Sequence, residues 1–107
     1  MTDPITFVMI STTVDDENKA QEIAELLVRE KLAACVHRTS IKSTYTWEGA
    51  IESADEIALV AKTRGSLVEE VITCIKKNHP YELPEIVVSP IVQGYRPYLD
   101  WIGKETK

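Results

Sequence analysis

The sequence predicts an α+β fold, a ferredoxin-like βαββαβ sandwich, and three observations lead there. Short β-branched runs alternate with two stretches of helical periodicity, and a Glu48-Gly49 turn joins the two central β segments into a hairpin. At 107 residues the chain is near the commonest length for one domain, so residues 1–107 are read as a single unit around one core.

The first element is a mostly apolar strand over residues 5–10, too short for a helix, which polar Ser11, Thr12 and Thr13 are expected to end. Asp15 is a plausible N-cap for the helix that follows, with Asp16 and Glu17 suited to the positive end of its dipole. Ala20, Ile23, Ala24, Leu27 and Val28 recur at helical spacing and define its buried stripe. Residues 33–47 then turn β-branched and aromatic, with Ile41, Ser43, Tyr45 and Trp47 on one face. After Gly49 the chain returns as a strand through Ile51 and residues 57–62. This hairpin exceeds the usual strand length of about five or six residues, so part of it should project beyond the body.

Ser66 and Glu69 have the spacing of a capping box ahead of a second helix, whose stripe is Leu67, Val68, Val71, Ile72 and Ile75. Pro80 stops it at Asn78-His79, because the residue before proline is pushed out of helical geometry. Residues 85–89 form the fourth strand, with Pro90 marking an edge or bulge, and Tyr98, Leu99, Trp101 and Ile102 outline a short C-terminal helix. The two helices cover one face of one antiparallel sheet, and the open face and edges argue for self-association.

Composition excludes several classes of function. Twelve Lys and Arg against seventeen Asp and Glu give a net charge of -5 with no basic stripe, so nucleic acid is not an expected partner. No run approaches the roughly 18 apolar residues of a membrane span, and no export signal is visible, so no membrane partner and a cytoplasmic location are expected. Cys35 and Cys74 lie far apart without metal-clip spacing and read as free thiols. No P-loop, nucleophile elbow, Ser/His/Asp set or H-E-x-x-H helix is present, so no catalytic residue is assigned. Val92-Gln93-Gly94 is similar to the V-Q-G loop of acylphosphatases, but it follows the last strand rather than the first, and Gly94 reads as a turn residue.

If the first and second strands run upward, the third and fourth run down, and one end of the sheet collects the residues with chemical potential. These are residues 11–13, the hairpin tip at Trp47, and His79-Pro80-Tyr81-Glu82-Leu83-Pro84-Glu85. The last segment holds an imidazole, a phenol and carboxylates between two prolines, and histidine is the commonest transition-metal ligand. His79 is the candidate metal ligand, with Ser11, Trp47, Tyr81 and Glu85 as candidate cleft residues. Cys35 and His37 share a strand face, but no second pair of ligands lies nearby in sequence, and no metal is assigned to them.

Several segments together resemble the CutA divalent-cation tolerance proteins. They are Ala20 with Ile23-Ala24 and Leu27-Val28, Lys31-Leu32-Ala33-Ala34-Cys35-Val36, Tyr45-x-Trp47-x-Gly49, Lys62-Thr63, His79-Pro80-Tyr81-x-x-Pro84-Glu85 and Tyr98-Leu99-x-Trp101. The resemblance implies a homotrimer like that of PII signalling proteins, in which long strands pair across subunits. It also implies a non-enzymatic role in tolerance of copper or other divalent cations. Some members carry copper on a cysteine ending the first strand and on histidines before the proline; of these positions this sequence keeps only His79, with Ser11 and Asn78 at the others. Copper(II) or another borderline divalent cation is therefore the expected ion, since imidazole and oxygen donors suit it and no soft ligand is at hand. The rival expectation is a PII-like regulatory module that binds a small molecule or a partner protein in clefts between subunits.

Overall fold

A computed structural model describes residues 6–107. The chain runs β1 (Phe7–Val14), α1 (Glu17–Arg29), β2 (Cys35–Trp47), β3 (Ala50–Arg64), a single 3-10 turn (Gly65–Leu67), α2 (Val68–Asn78), β4 (Ile86–Ile91) and α3 (Arg96–Glu105). The strands form one sheet in the order β2-β3-β1-β4, antiparallel at every junction. The α+β sandwich expected from the sequence is thus present, with β2 and β4 at the edges.

Side-chain alternation divides the sheet into two faces. Val8, Ile10, Thr12 and Val14 of β1 point under α1 and α2, where they join Ala20, Ile23, Leu27, Leu59, Val71 and Ile75 in the main core. Thr12 and Thr63 lie fully within this layer with hydroxyl oxygens that have no partner among the described residues. Their β-branched shape fills a strand position that valine would also fill. On the opposite face α3 covers only one end, through a small cluster of Phe7, Leu99 and Ile102. Arg64 locks this helix down by donating to the Gly103 carbonyl and, at 3.0 Å, to the Thr106 hydroxyl. The other end of that face is left without a helix.

Four expectations change. The first strand does not stop at Ser11: it continues to Val14, because Thr12 and Val14 face the core and their alternation outweighs the polarity of Ser11 and Thr13. Ile5, placed in that strand from sequence, lies outside the described residues. The α1 N-cap is Asp16, whose carboxylate accepts from the Asn18 amide at 2.9 Å, not Asp15. The Ser66 to Glu69 capping box does not form, because burial of Leu67 winds residues 65–67 into a 3-10 turn and starts the helix at Val68.

The fourth change concerns the hairpin. β3 is one unbroken strand of 15 residues, and Glu48 and Gly49 both take positive φ, 50° and 82°, as a two-residue turn matched to strand twist requires. β1 ends at the pair Val14↔Ile57, whereas β2 and β3 stay paired from Ile41↔Glu56 out to Trp47↔Ala50. Those seven pairs, counted from the register, form a ribbon about 23 Å long with no third strand beside it. The chain is accordingly elongated, 50 × 25 × 22 Å.

Candidate functional site

The segment between α2 and β4 meets the end of β1 and the base of the ribbon. His79 leaves the helix in extended geometry, φ -87° and ψ 136°, as Pro80 demands. Its Nε2 lies 2.7 Å from the Thr13 carbonyl oxygen, and its Nδ1 lies 3.1 Å from the Tyr81 amide nitrogen. A carbonyl only accepts and an amide N–H only donates, so the ring is the neutral Nε2–H tautomer with both nitrogens engaged. The imidazole packs edge-on against the Tyr81 ring, with centroids 4.7 Å apart.

Tyr81 continues the chain of contacts. Its hydroxyl donates at 2.7 Å to Oε2 of Glu56, a carboxylate only 8% exposed on the face opposite α1 and α2. Burial pushes the Tyr81 phenol well above its ordinary pKa, followed by the hydrogen bond to Glu56 and the charges of Glu56 and Asp15, with Tyr45 adding to the rise. The phenol therefore stays a donor throughout the neutral range. A raised pKa means that its contribution to stability is whole below the usual tyrosine value of about 10 and fades only at higher pH.

Replacing Tyr81 with phenylalanine should cost about 1–3 kcal/mol, because the nine-tenths buried Glu56 then loses its one donor among the described residues. Urea denaturation at pH 7 checks this. A loss below about 0.5 kcal/mol would show that water replaces the phenol freely.

The sequence-derived candidates are brought together only in part. His79 and Tyr81 are adjoining members of one bonded chain. Ser11 is not in a loop beside them but inside β1, paired with Val60 and Val87. Glu85 is exposed just ahead of β4 and makes no side-chain hydrogen bond or ion pair among the described residues. Trp47 sits at the ribbon tip, seven residue pairs beyond the end of β1, so it shares the direction of this end but not its surface. Cys35 pairs with Lys62, four residues along β3 from the Ala58 that faces Thr13, which puts the thiol about 13 Å down the sheet.

Glu56 and the Thr13 carbonyl were the functional groups that sequence reading missed. The available signal for Glu56 was its place in the β3 alternation Glu56, Ala58, Val60, which sets a carboxylate beside apolar residues on the face opposite α1 and α2. Elsewhere Cys74 lies in a shallow groove with Leu26, Glu30 and Lys77, its thiol pushed up by burial, then by Glu30, against the opposing pull of Lys77. Among the described residues no group of three or more His, Cys, Asp and Glu side chains is placed to hold a metal ion. The described residues of the chain therefore offer an anchored imidazole rather than a complete metal centre.

Comparison with known proteins bears on this geometry. Residues 8–105 match the model of the CutA1 divalent ion tolerance protein family. The chain is 38% identical over 101 residues to a chloroplastic CutA protein of Arabidopsis thaliana, covering 94% of this chain but 56% of that one. It is 38% identical over 99 residues to the divalent-cation tolerance protein CutA of Escherichia coli, covering 92% and 88%. The chain thus spans about half the length of the plant relative and most of the bacterial one. A solved structure, the periplasmic divalent cation tolerance protein CutA of Archaeoglobus fulgidus, superposes with a TM-score of 0.92 at 40% identity, covering 94% of this chain and 99% of that one.

Proposed function

The chain belongs to the CutA1 divalent ion tolerance family, and from that premise we propose that it serves divalent-cation tolerance without catalysis, as a homotrimer that binds Cu(II) or another borderline ion at His79. The observation that carries the site is the anchoring of the imidazole. Metal-ligating histidines donate their other ring N–H to a carbonyl or carboxylate, which fixes the ring and raises its basicity. His79 already donates from Nε2 to the Thr13 carbonyl, and only the Tyr81 amide stands at Nδ1. Nδ1 is thus the ligating atom, and the ion displaces one backbone N–H.

One imidazole gives modest affinity, and ligands from neighbouring subunits would raise it. No thiolate contributes, since Cys35 lies down the sheet and Ser11 offers only a hydroxyl. Cu(II) stands above the other borderline ions because it heads the stability order for a given ligand set. Competition titration is expected to find Cu(II) binding that His79→Ala abolishes and Cys35→Ser leaves intact. Tight Cu(I) binding that depends on Cys35 would overturn the assignment.

A further inference from the structure

Glu56 is a nearly buried carboxyl group with no cationic side chain paired to it among the described residues. Glutamate is almost never this deeply buried unless it is paired, because an ion withdrawn from water needs a compensating charge. Glu56 is 8% exposed, yet among the described residues no Lys, Arg or His nitrogen forms an ion pair with it. Lys42, on the neighbouring strand, is turned to the other face and bound to Asp55 at 3.0 Å. The Tyr81 hydroxyl engages Oε2 alone, and Oε1 has no hydrogen-bond partner among the described residues.

We propose that Glu56, with the phenol of Tyr81, forms a binding site for a nitrogen cation bearing N–H donors, a primary ammonium or a guanidinium. Two features select this chemistry. Glu56 balances one positive charge, and among the described residues no group of three or more His, Cys, Asp and Glu side chains is placed around it as a divalent ion would need. An N–H cation has the directed donors that Oε1 lacks, and charge-assisted bonds of that kind are the strong ones.

The cation has two sources, a free small molecule or the Lys or Arg side chain of a second copy of this chain. Only the second source draws on the proposed trimer, and neither draws on the divalent-cation reading, so loss of Cu(II) binding would leave this site untouched.

The test titrates the full chain with ethylammonium and methylguanidinium, following the Glu56 side-chain carboxyl carbon by NMR, with tetramethylammonium and Mg(II) as controls. Saturable binding of one cation per chain, weakened at least about tenfold in Glu56→Gln with the mass by light scattering unchanged, supports a free ligand. No binding of free cation, but a lower assembly mass in Glu56→Gln, supports a side chain of a second copy. An equal response to tetramethylammonium or Mg(II), or neither binding nor a change of mass, overturns the proposal. Should Glu56→Gln fail to fold, the wild-type carboxyl shift decides between the same outcomes, read with added cation and again on dilution of the assembly.

Discussion

Replacing Ile10 with alanine is expected to remove about 2–5 kcal/mol of stability, the full range for deleting a large aliphatic side chain from a core. Ile10 is 1% exposed in β1, an inner strand bonded on one side to Ala61 of β3 and on the other to Val88 of β4. Two ladders hold its backbone, so the strand is unable to sink into the space left behind. Ile23, Leu27 and Ile75, held on two helices, belong to the same core. Against a total of about 5–15 kcal/mol, such a loss is a large share. Urea unfolding at one fixed protein concentration should show a lower midpoint at unchanged slope. Gln21→Ala on the exposed side of α1 should stay within about 0.5 kcal/mol. A shift below 1 kcal/mol for Ile10→Ala would mean that the core repacks around the vacancy.

Ile10 also shows which features could be read from the sequence and why. Its alternation with Val8, and the helical spacing of Ala20, Ile23, Ala24 and Leu27, are local patterns that match the burial found. Element order, turn and helix ends follow from such patterns: Gly49 does take positive φ, and α2 does end at Asn78. Apart from the α1 cap, a local choice between Asp15 and Asp16, the misreadings share one cause, a tertiary decision made elsewhere in the fold. Ser66 had the right spacing for a cap, but the burial of Leu67 set the helix start instead. Glu56 finds its donor in Tyr81, 25 residues on, through a contact that no window of sequence contains. Trp47 was placed correctly at the hairpin tip, but its distance from His79 depends on where β1 stops pairing with β3. A strand-length estimate says that the ribbon projects; only the register says how far.

That projection carries the last prediction, that Trp47→Glu converts the proposed trimer into single chains. A two-stranded ribbon alone is marginally stable in water, and three or more strands or a covering element are needed to secure one. Beyond Ile57 this ribbon has neither among the described residues, yet it stays paired to its tip and carries Tyr45, Trp47 and Ile51 at 44%, 43% and 80% exposure. Neighbouring copies that pair against its open edges and bury these side chains would supply what one chain lacks. A carboxylate at position 47 would then have to be withdrawn from water in every subunit. Even about 2 kcal/mol per chain, repeated three times, comes to about 6 kcal/mol, more than four decades in the association constant at about 1.4 kcal/mol per decade. Light scattering at micromolar concentration should give three chain masses for the native protein and one for Trp47→Glu. An intact trimer in the variant would remove Trp47 from the interface, and a native protein of one chain mass would remove the interface itself.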